Sequence, residues 1–297
     1  MLFRSTVTFA GLGRPPGGHD NVQVTAYGNT PIYCKAVSWD AASSDLVVSV
    51  RCFRRDALLV DSKFTILAIG ARPFGASTPI GFLRSNGDTG TVLLDTAVTA
   101  RNSAGGQIAT GHGMDAGFYS IQWTGLGAQS GGAAGPVGII AASFGFGARR
   151  CSENGYDLAG GGLGITCRNS FGGLVDGAFS ALWFTRGRPG LRYGFALANN
   201  ATNTIGYTPS PETSANSSRG AITAKRTGTG TYQIVFAGLA HAAGAAESVQ
   251  VAAFGGGPFC TLVSWGNSGA NDLVANVDCW DTFDAPVNTP FTILIVQ

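Results

Sequence analysis

Ser5-Thr-Val-Thr-Phe-Ala-Gly-Leu-Gly13 returns as Tyr119-Ser-Ile-Gln-Trp-Thr-Gly-Leu-Gly127 and again as Tyr232-Gln-Ile-Val-Phe-Ala-Gly-Leu-Ala240, at offsets of 114 and 113. A fixed offset of this size marks an internal repeat, and it governs how the rest of the chain is read. Each copy runs on through an apolar stretch ending in aromatic-Gly (22–28, 139–145, 249–255), then a cysteine with an aromatic five residues later. Those pairs are Cys34 and Trp39, Cys151 and Tyr156, Cys260 and Trp265. A second cysteine follows in each (Cys52, Cys167, Cys279), and twelve residues beyond it stands Phe64, Phe179 or Phe291. A shorter piece precedes the second and third copies, with 37 residues from Phe82 to Tyr119 and from Phe195 to Tyr232. None precedes the first, so either the fragment starts inside a larger chain or its first segment closes in another way. The expected division is a first, partial repeat over 1–75, a second over 76–188 and a third over 189–297.

The local pattern is strand throughout. Runs such as Phe64-Thr-Ile-Leu-Ala-Ile69, Val22-Gln-Val-Thr-Ala-Tyr27 and Leu46-Val-Val-Ser-Val-Arg-Cys-Phe53 are β-branched and aromatic, short, and bounded by Gly, Asp, Asn or Pro. No ten-residue stretch carries an apolar helical period. The expected fold is all-β, as tandem β-sandwich or barrel-like modules with one disulfide per repeat.

Composition narrows the function classes. The 297 residues are 44% hydrophobic and 12% charged, with 45 Gly and 12 Pro, enough apolar matter to fill a core. The formal charge is +2 and the 16 Arg are scattered, so the basic face that a phosphate backbone requires is missing and no nucleic-acid partner is expected. The richest apolar stretch, 137–148, is broken by Gly and Ser, and no membrane span is expected.

Six cysteines in three in-register pairs read as a disulfide framework: Cys34 with Cys52, Cys151 with Cys167, Cys260 with Cys279. Zinc would need closer ligand pairs or partner histidines, and His19, His112 and His241 fall at unrelated repeat positions. Alternation along Val48-x-Val50-x-Cys52, Leu163-x-Ile165-x-Cys167 and Ala275-x-Val277-x-Cys279 turns the second cysteine inward with the apolar side chains. Disulfides place the protein in a secreted or extracellular setting. The N-terminus shows no apolar signal core, so a signal segment is expected to have been removed, to lie upstream, or to be replaced by another export route.

The run Phe9-Ala-Gly-Leu-Gly, Val22-Gln-Val-Thr-Ala-Tyr-Gly28, Cys34, Trp39, Val50-Arg-Cys-Phe53 and Asp61-Ser-Lys-Phe-Thr65 resembles the repeat of secreted proteins common in actinobacteria and other soil bacteria. The likeness covers most of the chain and is best in the first and third copies; the second departs with Tyr156 for Trp and Arg168 where the others carry Phe53 and Trp280. It implies export and repeat architecture, and no chemistry.

The common catalytic signatures are missing: no G-x-S-x-G elbow, no Gly-Lys phosphate loop, no G-x-G-x-x-G and no H-E-x-x-H occurs. No catalytic residue, cofactor or metal is assigned. Asp278, Asp281 and Asp284 form the best acidic cluster and could hold a hard cation, although their ordinary reading is a charged turn. The aromatics are more informative. If the strand after Cys34 runs unbroken, Trp39 lies at odd offset and faces away from the cysteine, as do Tyr156 and Trp265; Phe53 and Trp280, next to inward cysteines, also face away. These five form a candidate platform for sugar rings or a partner protein. Two alternatives compete with it. The short Gly-Phe segments could cover that face, and a bulge would return Trp39 to the cysteine side as padding. The leading functional reading is a secreted, non-enzymatic repeat protein that binds a glycan or cell-surface component, or self-assembles, with specificity in the Gly-rich loops 11–19 and 125–135. An extracellular hydrolase of polysaccharide or protein, with its site between modules, and a proteinase inhibitor are the alternatives.

Overall fold

The computed structural model describes residues 4–13, 20–41, 44–70, 79–85, 100–129, 138–185, 191–242 and 245–297. The first seventy residues supply β1 (Ser5–Phe9), β2 (Asp20–Tyr27), β3 (Tyr33–Asp40), β4 (Leu46–Phe53), a short β5 (Leu59–Val60) and β6 (Lys63–Gly70). Next come β7 (Ile80–Arg84), β8 (Ala100–Asn102), β9 (Ile108–His112), β10 (Phe118–Trp123), the single turn α1 (Leu126–Gln129), β11 (Gly138–Phe144), β12 (Arg150–Asp157), β13 (Gly162–Arg168) and β14 (Ala178–Phe184). The remainder forms β15 (Tyr193–Ala198), β16 (Ser214–Asn216), β17 (Ile222–Gly228), β18 (Thr231–Phe236), β19 (Ser248–Ala253), β20 (Phe259–Ser268), β21 (Asp272–Trp280) and β22 (Phe291–Val296). The chain is therefore all-β, as its short β-branched runs require.

Four sheets result. An eight-stranded sheet has the order β1-β4-β3-β11-β14-β7-β8 with β5 added on β4, and a six-stranded sheet has the order β17-β18-β21-β20-β2-β6. Two four-stranded sheets read β12-β13-β10-β9 and β16-β15-β22-β19. Two of the four thus cross the 1–75, 76–188 and 189–297 divisions: β3 and β4 join strands of the second segment, while β2 and β6 join strands of the third.

Each cysteine pair faces across an antiparallel hairpin and is closed as a disulfide: Cys34–Cys52, Cys151–Cys167 and Cys260–Cys279, all with Cα atoms 4.0 Å apart. Three disulfides suit an oxidising, extracellular environment. Each hairpin then carries a bulge at the same place, between Ala36 and Ser38, Glu153 and Gly155, and Leu262 and Ser264.

Between hairpins the chain switches to parallel contact. Ala36 meets Phe144, Glu153 meets Phe254, and Leu262 meets Tyr27. The following glycine donates to the same carbonyl each time: Gly145 N–H to Ala36 O (3.0 Å), Gly255 to Glu153 O (2.8 Å) and Gly28 to Leu262 O (2.9 Å). Their φ values of 90°, 105° and 140° are ones only glycine holds without strain. The first hairpin thus touches the second segment, the second the third, and the third the first, which closes a ring.

One apolar cluster surrounds each disulfide, and a fourth, built from Leu67, Ile80, Phe82, Ile140, Leu182, Phe184, Phe195 and Leu294 among others, lies between the segments. Buried polar side chains stitch the junctions. Asn21 Nδ2 and Gln23 Nε2 both donate to Ser180 Oγ, at 2.9 and 3.1 Å. Thr25 Oγ1 donates to Gln250 Oε1 (3.0 Å), and Ala141 N–H and Thr292 Oγ1 donate to the Glu153 carboxyl at 2.6 and 2.9 Å.

Candidate functional site

The bulges correct the face assigned to three of the five candidate aromatics. One extra residue reverses alternation, so Trp39 packs in the cluster that holds Cys34 and Cys52, Tyr156 against that of Cys151 and Cys167, and Trp265 against that of Cys260 and Cys279. Each ring meets the aromatic that ends the neighbouring apolar strand: Trp39 with Phe144 at 5.1 Å, Tyr156 with Phe254 at 5.0 Å, Trp265 with Tyr27 at 5.4 Å between centroids. These are clasps between segments, worth about 0.5–1.5 kcal/mol each beyond the area they bury. Trp39 is fully buried, with its Nε1 donating to Asp20 Oδ1 at 2.6 Å, while Tyr156 and Trp265 are half-buried. Phe53 and Trp280 do point away from their cysteines, but not into open water. Phe53 is buried against Tyr33 and Phe259, and Trp280 packs on the same group.

That group is where the three hairpins converge. Tyr33, Arg150 and Phe259 each stand immediately before a first cysteine, and in the fold they meet. Tyr33 and Phe259 lie 5.9 Å apart, and the Arg150 guanidinium sits over both rings, 5.3 Å from one and 4.5 Å from the other. Arg150 is only 7% exposed, yet its Nε, Nη1 and Nη2 have no hydrogen-bond partner among the described residues. A buried charge without hydrogen bonds is unusual, because losing hydration costs several kcal/mol unless a partner replaces it. Burial pulls the guanidinium pKa down from its ordinary value, opposed by Tyr33 and by Asp284 nearby; burial likewise pushes the Tyr33 phenol up. Arg168 pairs with Arg150 across the hairpin and spends two donors on carbonyls, Nε on Gly256 O and Nη1 on Gly172 O.

Beside this cluster lies a cavity of about 60 Å³, bordered by Gln23, Ser143, Arg150, Arg168, Gln250 and the Gly256–Gly257 turn among others. It exceeds several times the ~10–15 Å³ that one water needs, so a small oxyanion fits. Comparison with known proteins finds no matching family model, no matching curated protein and no matching solved structure. The site is therefore read from its own residues. One loop follows the second cysteine of each hairpin: 54–58, 169–173 and 281–285. All close the same way, with Arg54 N–H to Leu58 O, Asn169 N–H to Gly173 O and Asp281 N–H to Ala285 O. Phe171 and Phe283, at the fourth position after their cysteines, are both 66% exposed on these loops.

Other candidate chemistry has structural work. Asp281 Oδ1 accepts from Phe283 and Ala285 N–H and so caps its turn, and no cluster able to hold a metal occurs among the described residues. His112 Nε2 lies 2.7 Å from Asp176 Oδ1, which also accepts from Gly117 N–H and Tyr119 Oη. Burial works to raise Asp176, but these hydrogen bonds outweigh it and hold the carboxyl below its usual range. The counterpart in the third segment is Gly230 N–H donating to Asn288 Oδ1, with Tyr232 Oη accepting from Thr289 N–H as Tyr119 Oη accepts from Gly177 N–H. An arrangement that persists when the acid becomes an amide serves the turn rather than acid–base chemistry. His19 and most of the 11–19 and 125–135 loops lie outside the described residues.

The sequence reading missed Arg150. The signal was present: at the position before the first cysteine two copies carry an aromatic ring and one an arginine.

Proposed function

We propose that this chain is an exported, non-enzymatic β-repeat protein, three copies of one unit closed into a ring, that binds an acidic group of a glycan or another cell-surface component where its three hairpins converge. Arg150 carries the reading. It presents a planar fork of donors suited to a carboxylate or phosphate, held between Tyr33 and Phe259 and hydrogen-bonded to none of the described residues. Phe171 and Phe283, exposed on the loops that follow Arg168 and Trp280, offer apolar surface for the body of a larger ligand. Export is supported by three hairpin disulfides, and a place among the secreted repeat proteins of soil bacteria by the motifs that resemble theirs.

The test is a titration of the disulfide-intact protein with phosphate, acetate and galacturonate at constant ionic strength, read by calorimetry and thermal midpoint. At least one oxyanion should bind the natural chain, Arg150→Lys should bind it more weakly, and Arg150→Met should not respond. Asp284→Asn, which removes a competing carboxylate, should tighten binding. An identical response in the Arg150→Met protein would refute the assignment, since that response would be a salt effect.

A further inference from the structure

The second and third segments each carry a short piece, and the structure shows what that piece does. In the second segment β7 pairs with β14 and β9 with β10; in the third β15 pairs with β22 and β17 with β18. The matching strands of the first segment are β6 and β1. Among the described residues β6 pairs only with β2, and β1 only with β4.

Side chains record the difference. Phe179, Ala181 and Trp183 of β14 and Phe291, Ile293 and Ile295 of β22 are buried, whereas Phe64, Ile66 and Ala68 of β6 are only half-buried, packed against the cluster around Cys34–Cys52. Trp123 and Phe236 are buried while the corresponding Phe9 is only half-buried. Leu126 and Leu239 are 0% exposed, but Leu12, in the same place of the repeat, is 54% exposed.

We propose that β1 and β6, the end strands of two sheets, together accept a short β-segment in trans, of the kind the chain already uses in β7, β8 and β9 and in β15, β16 and β17. This goes beyond the oxyanion site at Arg150 and rests on the three-unit reading. Two features define the chemistry of the partner. Its first strand carries glycine where Gly81 and Gly194 stand. A Cβ on Gly81 would lie 2.5 Å from Leu126, and one on Gly194 would lie 2.7 Å from Phe236 and 2.9 Å from Leu239, so only glycine lets these side chains close over the strand. Phe9 and Leu12 present the same surface. Its turn carries asparagine: Asn102 Nδ2 donates to Thr124 O at 2.9 Å and Asn216 Nδ2 to Ala237 O at 2.8 Å. The corresponding acceptor on the first segment is the carbonyl of Ala10. Backbone pairing supplies the affinity and these two positions the selectivity, as in other strand additions.

The experiment adds a synthetic peptide of residues 191–229 to the full chain, reading binding by calorimetry and amide hydrogen exchange. One peptide per chain should bind, with protection gained in β1 and β6. A peptide with Gly194→Val should bind at least about tenfold more weakly, the cost of forcing a side chain into a closed contact. Leu12→Asp in the protein should weaken binding similarly. No binding, or binding indifferent to Gly194→Val, overturns the proposal. Protection changes confined to β18 and β22 would show exchange with the chain's own segment; they sink the acceptor edge alone and leave the three-unit reading standing. The oxyanion titration reports on another part of the molecule, so either result can fail without the other.

Discussion

Replacing Glu153 by Gln should stabilise the protein, by an amount that grows with pH. Glu153 is fully buried at the junction of the second and third segments. Its Oε1 accepts from Ala141 N–H, and its Oε2 from Thr292 Oγ1 and, at 3.3 Å, from Tyr156 Oη. Burial raises its pKa from 4.5 to about 8, against the opposing pull of these three donors. The folded state therefore holds a proton that the unfolded state releases above pH 4.5, and stability falls as pH rises from there to about 8. The contribution of the neutral carboxyl is fully present below the unfolded pKa and is lost as pH climbs through the folded one. At about 1.36 kcal/mol per pH unit, the loss between pH 5 and pH 7 is on the order of 2–3 kcal/mol. An amide keeps the acceptor for Ala141 and offers a donor to Thr292 Oγ1, which can turn its own proton to Ala252 O at 3.3 Å. Urea unfolding of both proteins at pH 5, 6, 7 and 8, disulfides intact, measures the gap, and taking the difference removes other titrating groups common to both. A gap that does not widen with pH, or a natural chain that gains on the variant above pH 7, would refute the argument from burial.

Trp39→Ala should cost about 3–5 kcal/mol as a large-to-small change in a closed core, and Trp265→Ala, half-buried against Tyr27, clearly less; equal losses in thermal or urea midpoints would contradict the clasp geometry. Thiol titration under denaturing, non-reducing conditions should find no free cysteine among the described pairs, and replacing both members of Cys34–Cys52 by Ala should lower stability by about 3 kcal/mol for a loop of this size.

The strand content, the three cysteine pairs and their in-register spacing were all legible from the residues. β-Branched alternation and turn residues are local properties, and the inward second cysteine follows from parity alone, as buried Val48, Val50 and Cys52 show. Parity failed where a local irregularity intervened. The bulges at Ala36/Ser38, Glu153/Gly155 and Leu262/Ser264 leave no composition signal, so the unbroken-strand reading put Trp39, Tyr156 and Trp265 on the wrong face, and the bulge alternative raised for Trp39 is the one that holds. The ring was beyond reach for another reason. Parallel contacts such as Ala36 to Phe144 and Leu262 to Tyr27 join residues more than a hundred positions apart, and no local pattern encodes which hairpin meets which strand. Three glycines after an aromatic carried a trace of it, since a positive φ there is what lets the chain reach the neighbouring carbonyl.

On the three-unit reading, the second unit's departures from its siblings concentrate where the units meet. The residue before the first cysteine is Tyr33, Arg150 or Phe259; the junction residue is Ala36, Glu153 or Leu262; the residue after the second cysteine is Phe53, Arg168 or Trp280. In each trio the second unit alone carries an arginine or a glutamate. Apolar residues at those places would bury without penalty, so each of these groups lowers stability unless it is matched. Arg168 is matched by two carbonyls, and Glu153 by three donors and a retained proton. Arg150 has no hydrogen bond among the described residues, only two ring faces and the charge of Asp284 nearby. A ring of like parts needs no such residue to close, and the other two units close without one. The cost of Arg150 to the fold is thus an argument that its benefit lies in what the guanidinium binds, and the Arg150→Met protein separates the two: it should unfold at a higher urea concentration than the natural chain while losing its response to oxyanions. A variant less stable than the natural chain would instead make Arg150 part of the scaffold.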